Sequence, residues 1–123
     1  MNAVDALLAR RDHPLQSTIQ AVRSRLLDLA GVVESVKWNS PNYALADDFA
    51  TLHLRRDDSV QLILHTGAVP KPDHPEIVLA HPPSGSRRAD RNRLVVTFRR
   101  DDPSPADADV LADALKSWVA QLV

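Results

Sequence analysis

The sequence contains no cysteine, and this absence excludes disulfide bonds, thiolate metal sites and cysteine nucleophiles together. With only three glycines in 123 residues, the chain has no glycine-rich loop of the kind that cradles phosphates. No serine lies in the G-x-S-x-G elbow of a hydrolase. Aromatic residues make up only 4% of the chain, so we expect an aliphatic core. An enzyme is therefore the less favoured class.

Charge and hydropathy also lack features that would indicate a partner. The net charge of −1 gives no overall attraction to nucleic acid or to a membrane surface. No apolar run approaches the ~20 residues that a bilayer-spanning helix needs, and the first 14 residues lack the apolar core of a signal peptide. We therefore expect a cytoplasmic protein, monomeric or homodimeric, with no nucleic-acid or membrane partner. Its small-molecule or protein partner stays unknown at this point.

What the sequence does contain is the composition of an ordinary globular domain, with 44% hydrophobic and 25% charged residues. This length suits a single domain spanning 1–123. Apolar residues at helical spacing predict helices at 2–11, 14–30 and 105–122. We expect Gly31 to end the second helix in a left-handed conformation.

Between the helices, alternating polar and apolar residues predict β-strands. These strands lie at 33–38, 43–46, 49–56, 60–66 and 94–98. Because Pro41 has no N–H to donate, we expect it to end the pairing of the first strand. Residues 68–93 show no clear pattern. The predicted fold class is α+β, a mainly antiparallel sheet with N-terminal helices and a C-terminal helix packed on one face.

The strands at 49–56 and 60–66 predict a hairpin, and burial of one face selects its register. A three-residue loop at 57–59 would pair Leu54 with Leu62 and keep the leucines on one face. The same register would make His53 and His65 diagonal neighbours on the other face, about 7–8 Å apart at the backbone.

Two groups of residues are candidate metal ligands. His53 and His65 have Asp47 and Asp48 nearby, but two histidines without a third convergent ligand also suit the solvated face of a sheet. The last helix is preceded and opened by carboxylates, which hard cations favour and which equally complement a helix dipole. This acidic set comprises Asp101, Asp102, Asp107, Asp109 and Asp113. The favoured expectation is no metal and no cofactor, and the alternative is a metal site drawn from His53, His65, Asp107 and Asp109.

Two further features suggest ligand binding. Trp38 and Tyr43 flank a proline break among amide and hydroxyl side chains, an arrangement that suits either a small-molecule pocket or a bulky plug at the sheet edge. A run of arginines suits either a grip on phosphate or carboxylate or a solvated loop. These are Arg87, Arg88, Arg91, Arg93, Arg99 and Arg100.

The same segments resemble the YdhG-like family of small bacterial domains. The shared pattern is a lysine–tryptophan pair, a proline and an aromatic, then a hairpin that ends in Gly-Ala, and a tryptophan in the last helix. The matching residues are 36–43 (VKWNSPNY), 47–51 (DDFAT), 60–68 (VQLILHTGA), 89–91 (ADR) and Trp118. The resemblance implies a compact α/β domain of mostly uncharacterised function, with some relatives described as frataxin-like intracellular iron chaperones.

Together, the residues and the resemblance predict a non-enzymatic domain that binds a small anionic ligand or a partner. In this hypothesis Trp38 and Tyr43 supply apolar contact, while Lys37 and Arg91 hold the anion. The full candidate site consists of Lys37, Trp38, Asn42, Tyr43, His65 and Arg91. The alternative function is a frataxin-like iron-binding chaperone, with iron as its cargo or cofactor.

Overall fold

The computed structural model describes residues 2–99 and 108–122. Within them the order of elements is α1 (Ala3–Arg11), α2 (Gln16–Leu27), β1 (Val33–Lys37), β2 (Ser40–Ala44), β3 (Asp48–His53), β4 (Ser59–Leu64), β5 (Ser86–Asp90), β6 (Arg93–Arg99) and α3 (Ala108–Ala120). The six strands form one sheet in the order β1-β2-β3-β4-β6-β5, and every neighbouring pair is antiparallel. The predicted α+β class is confirmed.

The core lies between one face of this sheet and the apolar stripes of all three helices. Leu52, Leu62 and Val96 are successive register partners across β3, β4 and β6, so their side chains form one continuous buried row. The helices contribute Val4, Leu8, Ile19, Val22, Leu26, Leu111, Leu115 and Trp118 to the same cluster. Because side chains alternate along a strand, the residues between these positions point away from the helices.

The three predicted helices are present. The second begins at Gln16 rather than at residue 14, and it ends at Leu27. Gly31 has a φ of +79°, the left-handed conformation expected of it, and it turns the chain into β1. The predicted capping segment of the last helix, residues 104–107, lies outside the described residues.

Pro41 does not end the pairing of β1, contrary to the sequence-based expectation. β1 and β2 form a hairpin in which Lys37 pairs with Ser40 around the two-residue turn Trp38–Asn39. In such a hairpin the pair that flanks the turn exchanges both hydrogen bonds, and the next pair exchanges none. Pro41 occupies that next position, opposite Val36. Its missing N–H therefore costs no bond to β1.

The register predicted for the β3–β4 hairpin was wrong by two residues. Leu52 pairs with Leu62 and His53 pairs with Gln61, so the loop runs from 54 to 58. A shift of two keeps every side chain on its predicted face. It separates the histidines, however, because His53 now lies opposite a residue four positions before His65, roughly 13 Å along the strand.

The longer loop has a physical cause in α1 and the short segment that follows it. The Arg11 guanidinium donates to the Leu54 carbonyl oxygen at 2.9 and 3.2 Å. The Nδ1 atom of buried His13 accepts from a backbone N–H, so its Nε2–H donates to the Arg56 carbonyl at 2.6 Å. Since these side chains satisfy backbone groups of the loop, that segment does not need ladder partners.

β5 was not predicted from the sequence. Four of its five residues are exposed, so it shows no alternation of apolar and polar side chains. Charged side chains on an edge strand are a common protection against unwanted pairing. The preceding proline-rich loop packs Ile77 and Leu79 into the core. Asn92 fixes this loop by accepting from the Ile77 N–H at 2.9 Å.

A buried ion pair joins the helices to the first hairpin. Arg23 of α2 is 8% exposed and binds both carboxylate oxygens of Glu34 in β1, each at 2.7 Å. The same guanidinium reaches Asp5 of α1 at 2.8 Å, and the Tyr43 hydroxyl of β2 donates to Glu34 at 2.8 Å. Four elements therefore meet at this ion pair.

We predict that Glu34→Gln lowers the free energy of unfolding at pH 7 by about 3 kcal/mol, because the buried Arg23 charge loses its bidentate carboxylate and keeps only the more exposed Asp5 as an ionic partner. Burial disfavours ionised Glu34, but hydrogen bonds from Arg23 and Tyr43 bring its pKa below the usual 4.5. A lowered pKa stabilises the fold above about pH 4.5 and loses that contribution as the pH falls through the folded-state pKa. The variant should therefore unfold with a weaker dependence on acid, as urea titrations at pH 7 and pH 4 would measure.

The matched control for this prediction is Glu76→Gln, which changes an exposed glutamate. It should leave the unfolding midpoint almost unchanged. Equal effects of the two substitutions would contradict the importance given to the Glu34 ion pair.

Candidate functional site

An open groove of about 910 Å³ lies on the face of the sheet that points away from the core. Its floor is a row of register partners, Asn42, Thr51 and Ile63, from β2, β3 and β4. The β1–β2 turn borders one end. The other end is bordered by the segment that follows β4 and by the start of β6.

The structure brings four of the six predicted site residues to this groove, namely Lys37, Trp38, Asn42 and His65. Tyr43 is fully buried in the core, because it follows Asn42 directly and so points to the opposite face. Arg91 is exposed in the turn between β5 and β6 and does not line the groove.

Lys37 is already engaged at the site. Its Nζ atom lies 2.6 Å from the Asp48 carboxylate, which also accepts from the Asn42 side-chain amide at 3.0 Å. Burial opposes the charge on Asp48, but these two hydrogen bonds bring its pKa below the usual value. Lys37 therefore neutralises a carboxylate of the groove, and its charge is already paired.

A neighbouring carboxylate shapes the rim. Asp47 accepts from the Ala68 N–H at 3.3 Å and pairs with Lys71 at 3.0 Å. A Cβ atom at Gly67 would overlap the Asp47 carboxylate and lie 3.0 Å from the Lys71 side chain. A larger residue at this position would therefore displace the Asp47 and Lys71 side chains that form the rim.

The positive charge of the groove comes mainly from two arginines, because a third lining arginine, Arg11, is paired with Asp57. Arg55 and Arg93 are exposed, line the groove, and have no salt-bridge partner among residues 2–99 and 108–122. Partial burial lowers the pKa of His53, and the charges of both arginines lower it further. Burial also lowers the pKa of His65, and Arg93 contributes in the same direction. The fields of the arginines thus overlap inside the groove.

Trp38 is the most conspicuous side chain at the border. It is 97% exposed, although tryptophan is usually well buried. Its φ is +54° and that of Asn39 is +59°, the two left-handed positions of a type I′ turn. Asparagine and glycine suit these positions, whereas a bulky side chain is strained there.

The candidate metal ligands are not gathered into one site. Within the described parts of the chain, no three histidine or acidic side chains lie close enough to hold a metal ion. His53 lies at the groove, whereas Asp109 is exposed at the start of α3, which packs on the core side. Asp107, Asp101 and Asp102 lie outside the described residues.

The candidate site named from the sequence left out Arg55 and Arg93, although Arg93 belongs to the arginine run noted there and a usable signal exists for both. Leu94 and Val96 are buried, so Arg93 has the opposite parity and points to the groove face. Arg55 likewise follows the exposed parity of His53. Arg91 was chosen from a family pattern, which carries no information about parity.

We predict that Arg93→Gln raises the pKa of both His53 and His65 toward 6.5, because it removes a nearby positive charge. Arg55→Gln should raise the pKa of His53 alone. Burial remains in both variants, so the pKa of His53 should stay below 6.5 in each. The measurement is a pH titration of the imidazole C–H resonances by NMR.

Arg91→Gln is the matched control for this titration, since Arg91 contributes to neither shift. If all three substitutions moved the histidine resonances equally, the overlapping fields assigned to the groove would be wrong.

None of the helices in the described regions has the length and apolar character to span a membrane. Searches of curated proteins and of solved structures returned no match. A family model described as a domain of unknown function (DUF5655) matches residues 4–117. This is not the YdhG-like family that the sequence pattern resembles, and that assignment has no support from the match. The chain belongs to the DUF5655 family.

Proposed function

We propose that this domain is a non-enzymatic binding module whose groove takes a small anionic ligand. One observation carries the proposal. Arg55 and Arg93 project charge into the same open groove, and Asp48, the one acidic side chain among its lining residues, is already paired with Lys37.

The chemistry of arginine fits this role. A guanidinium offers several N–H donors in a planar fork that matches carboxylate and phosphate oxygens. The whole chain has a net charge of −1, so it has no general attraction for anions. Affinity would arise locally, where two arginines lie beside low-pKa histidines that are mostly neutral at pH 7.

Contacts within the protein also hold the floor of the groove in shape. The Thr51 hydroxyl lies 3.5 Å from the Asn42 amide oxygen, which accepts from it. The His65 Nδ1 atom interacts with the backbone of Gly67, at 3.3 Å from its N–H. Both groups therefore have partners within the protein, and these contacts hold the shape of the groove.

Isothermal titration calorimetry with pyrophosphate and with citrate tests the proposal. We expect saturable binding that weakens at least tenfold in Arg93→Gln and in Arg55→Gln, because hydrogen bonds to charged groups contribute about 1.5–3 kcal/mol.

Arg91→Gln again serves as the control, and it should bind like the unaltered protein. The proposal is wrong if neither anion binds at low ionic strength. It is equally wrong if the loss in Arg93→Gln is no larger than the loss in Arg91→Gln.

A further inference from the structure

We propose that the ligand is an aromatic anion of about the size of a nucleoside monophosphate, with its ring stacked on Trp38 and its anionic group between Arg55 and Arg93. This inference rests on the proposed function, because it identifies the class of ligand for the same groove. It adds a ring-binding position that the arginines alone do not require.

The exposure and backbone conformation of Trp38 indicate a role outside the fold. A side chain that is 97% exposed makes almost no packing contact, so it contributes little to the fold. Its left-handed backbone is also disfavoured for a bulky residue. The chain thus places a large aromatic surface in solvent at a position where asparagine or glycine would be more stable. A flat ring of the ligand that stacks on the indole would bury that surface on binding.

The separation between Trp38 and His53 fits such a ligand. The register that pairs Asn42 with Thr51 continues to place Ser40 beside His53. His53 is where the charges of Arg55 and Arg93 act together. From there to Trp38 is one strand spacing and two residues along the chain, roughly 8 Å. That separation suits a ring and a phosphate joined by a sugar.

Polar side chains beside Trp38 can bind the edge of a stacked ring. Asn39 and Ser40 line the groove next to it, and their side chains have no hydrogen-bond partner among the described residues. An amide and a hydroxyl offer both donors and acceptors to the edge of a heteroaromatic ring. They lie where such an edge would project beyond the stacked face.

The volume of the groove also exceeds what a small inorganic anion would fill. A groove of about 910 Å³ is near the upper end of the range for small-molecule sites. Inorganic phosphate would contact the arginines and leave the rest of the groove to water. A ligand with a ring and a linker would extend from the arginines to Trp38.

The experiment compares three probes by calorimetry: adenosine monophosphate, ribose 5-phosphate, which lacks the ring, and adenosine, which lacks the anion. For the unaltered protein we expect the nucleotide to bind at least fivefold more tightly than either partial probe. Trp38→Asn should weaken nucleotide binding about tenfold, as expected for loss of one stacked base. It should leave ribose 5-phosphate binding unchanged.

Trp38→Phe is the matched control, since it keeps an aromatic face, and it should retain most of the nucleotide affinity. Thermal unfolding supplies a second readout. Trp38→Asn should unfold at the same or a higher temperature, because asparagine tolerates the left-handed position. A clear loss of stability would show that Trp38 has a structural role, and it would overturn the inference.

The two proposals fail in different ways. If ribose 5-phosphate binds as tightly as the nucleotide, or if Trp38→Asn binds both equally well, the ring position is wrong while anion binding stands. If neither phosphate probe binds, the ligand class is wrong, and the titrations with pyrophosphate and citrate decide whether anion binding stands. Binding of adenosine alone, without dependence on Arg93, would overturn the anionic part.

Discussion

The position of the groove depends on the buried ion pair between Arg23 and Glu34. Removing two charges from water is costly, and the fold offsets that cost with hydrogen bonds from Tyr43 and Asn2 to the same carboxylate. Glu34 lies in β1 and Tyr43 in β2, so the pair fixes both strands of the first hairpin against α2. The turn that presents Trp38 is the outer end of that hairpin. An apolar contact of equal area would not define its orientation as closely.

Alternation along the strands places the core residues on one face of the sheet and the residues of the proposed binding groove on the other. In β3 the side chains of Ala50 and Leu52 are buried in the core, while those of Thr51 and His53 line the groove. Each strand thus carries both tasks on opposite faces. Substitutions on the groove face remove little buried area, so their effects on binding can be separated from effects on folding.

The sequence predicts what depends on local pattern. Helices, most strands and the face of each side chain follow from periodicity, and none of these requires knowledge of distant contacts. The register of the β3–β4 hairpin is different, because it depends on bonds from Arg11 and His13 that no local pattern encodes. Strand β5 has no alternation at all. Whether Arg91 or Arg93 faces the groove depends on its place in the alternation along β6. That place is known only when the ends of the strand are known.

The charge of the groove at neutral pH comes from arginine, and this determines how it responds to a ligand. Burial lowers the pKa of His53 and His65, and neighbouring positive charge lowers it further, so these side chains contribute little charge at pH 7. An anion that neutralises Arg93 would relieve part of this effect and make protonation easier. Binding and proton uptake are then linked through the same few side chains. In the proposed function, the arginines would attract the anion at any pH near neutrality, and the histidines would gain charge once it is bound.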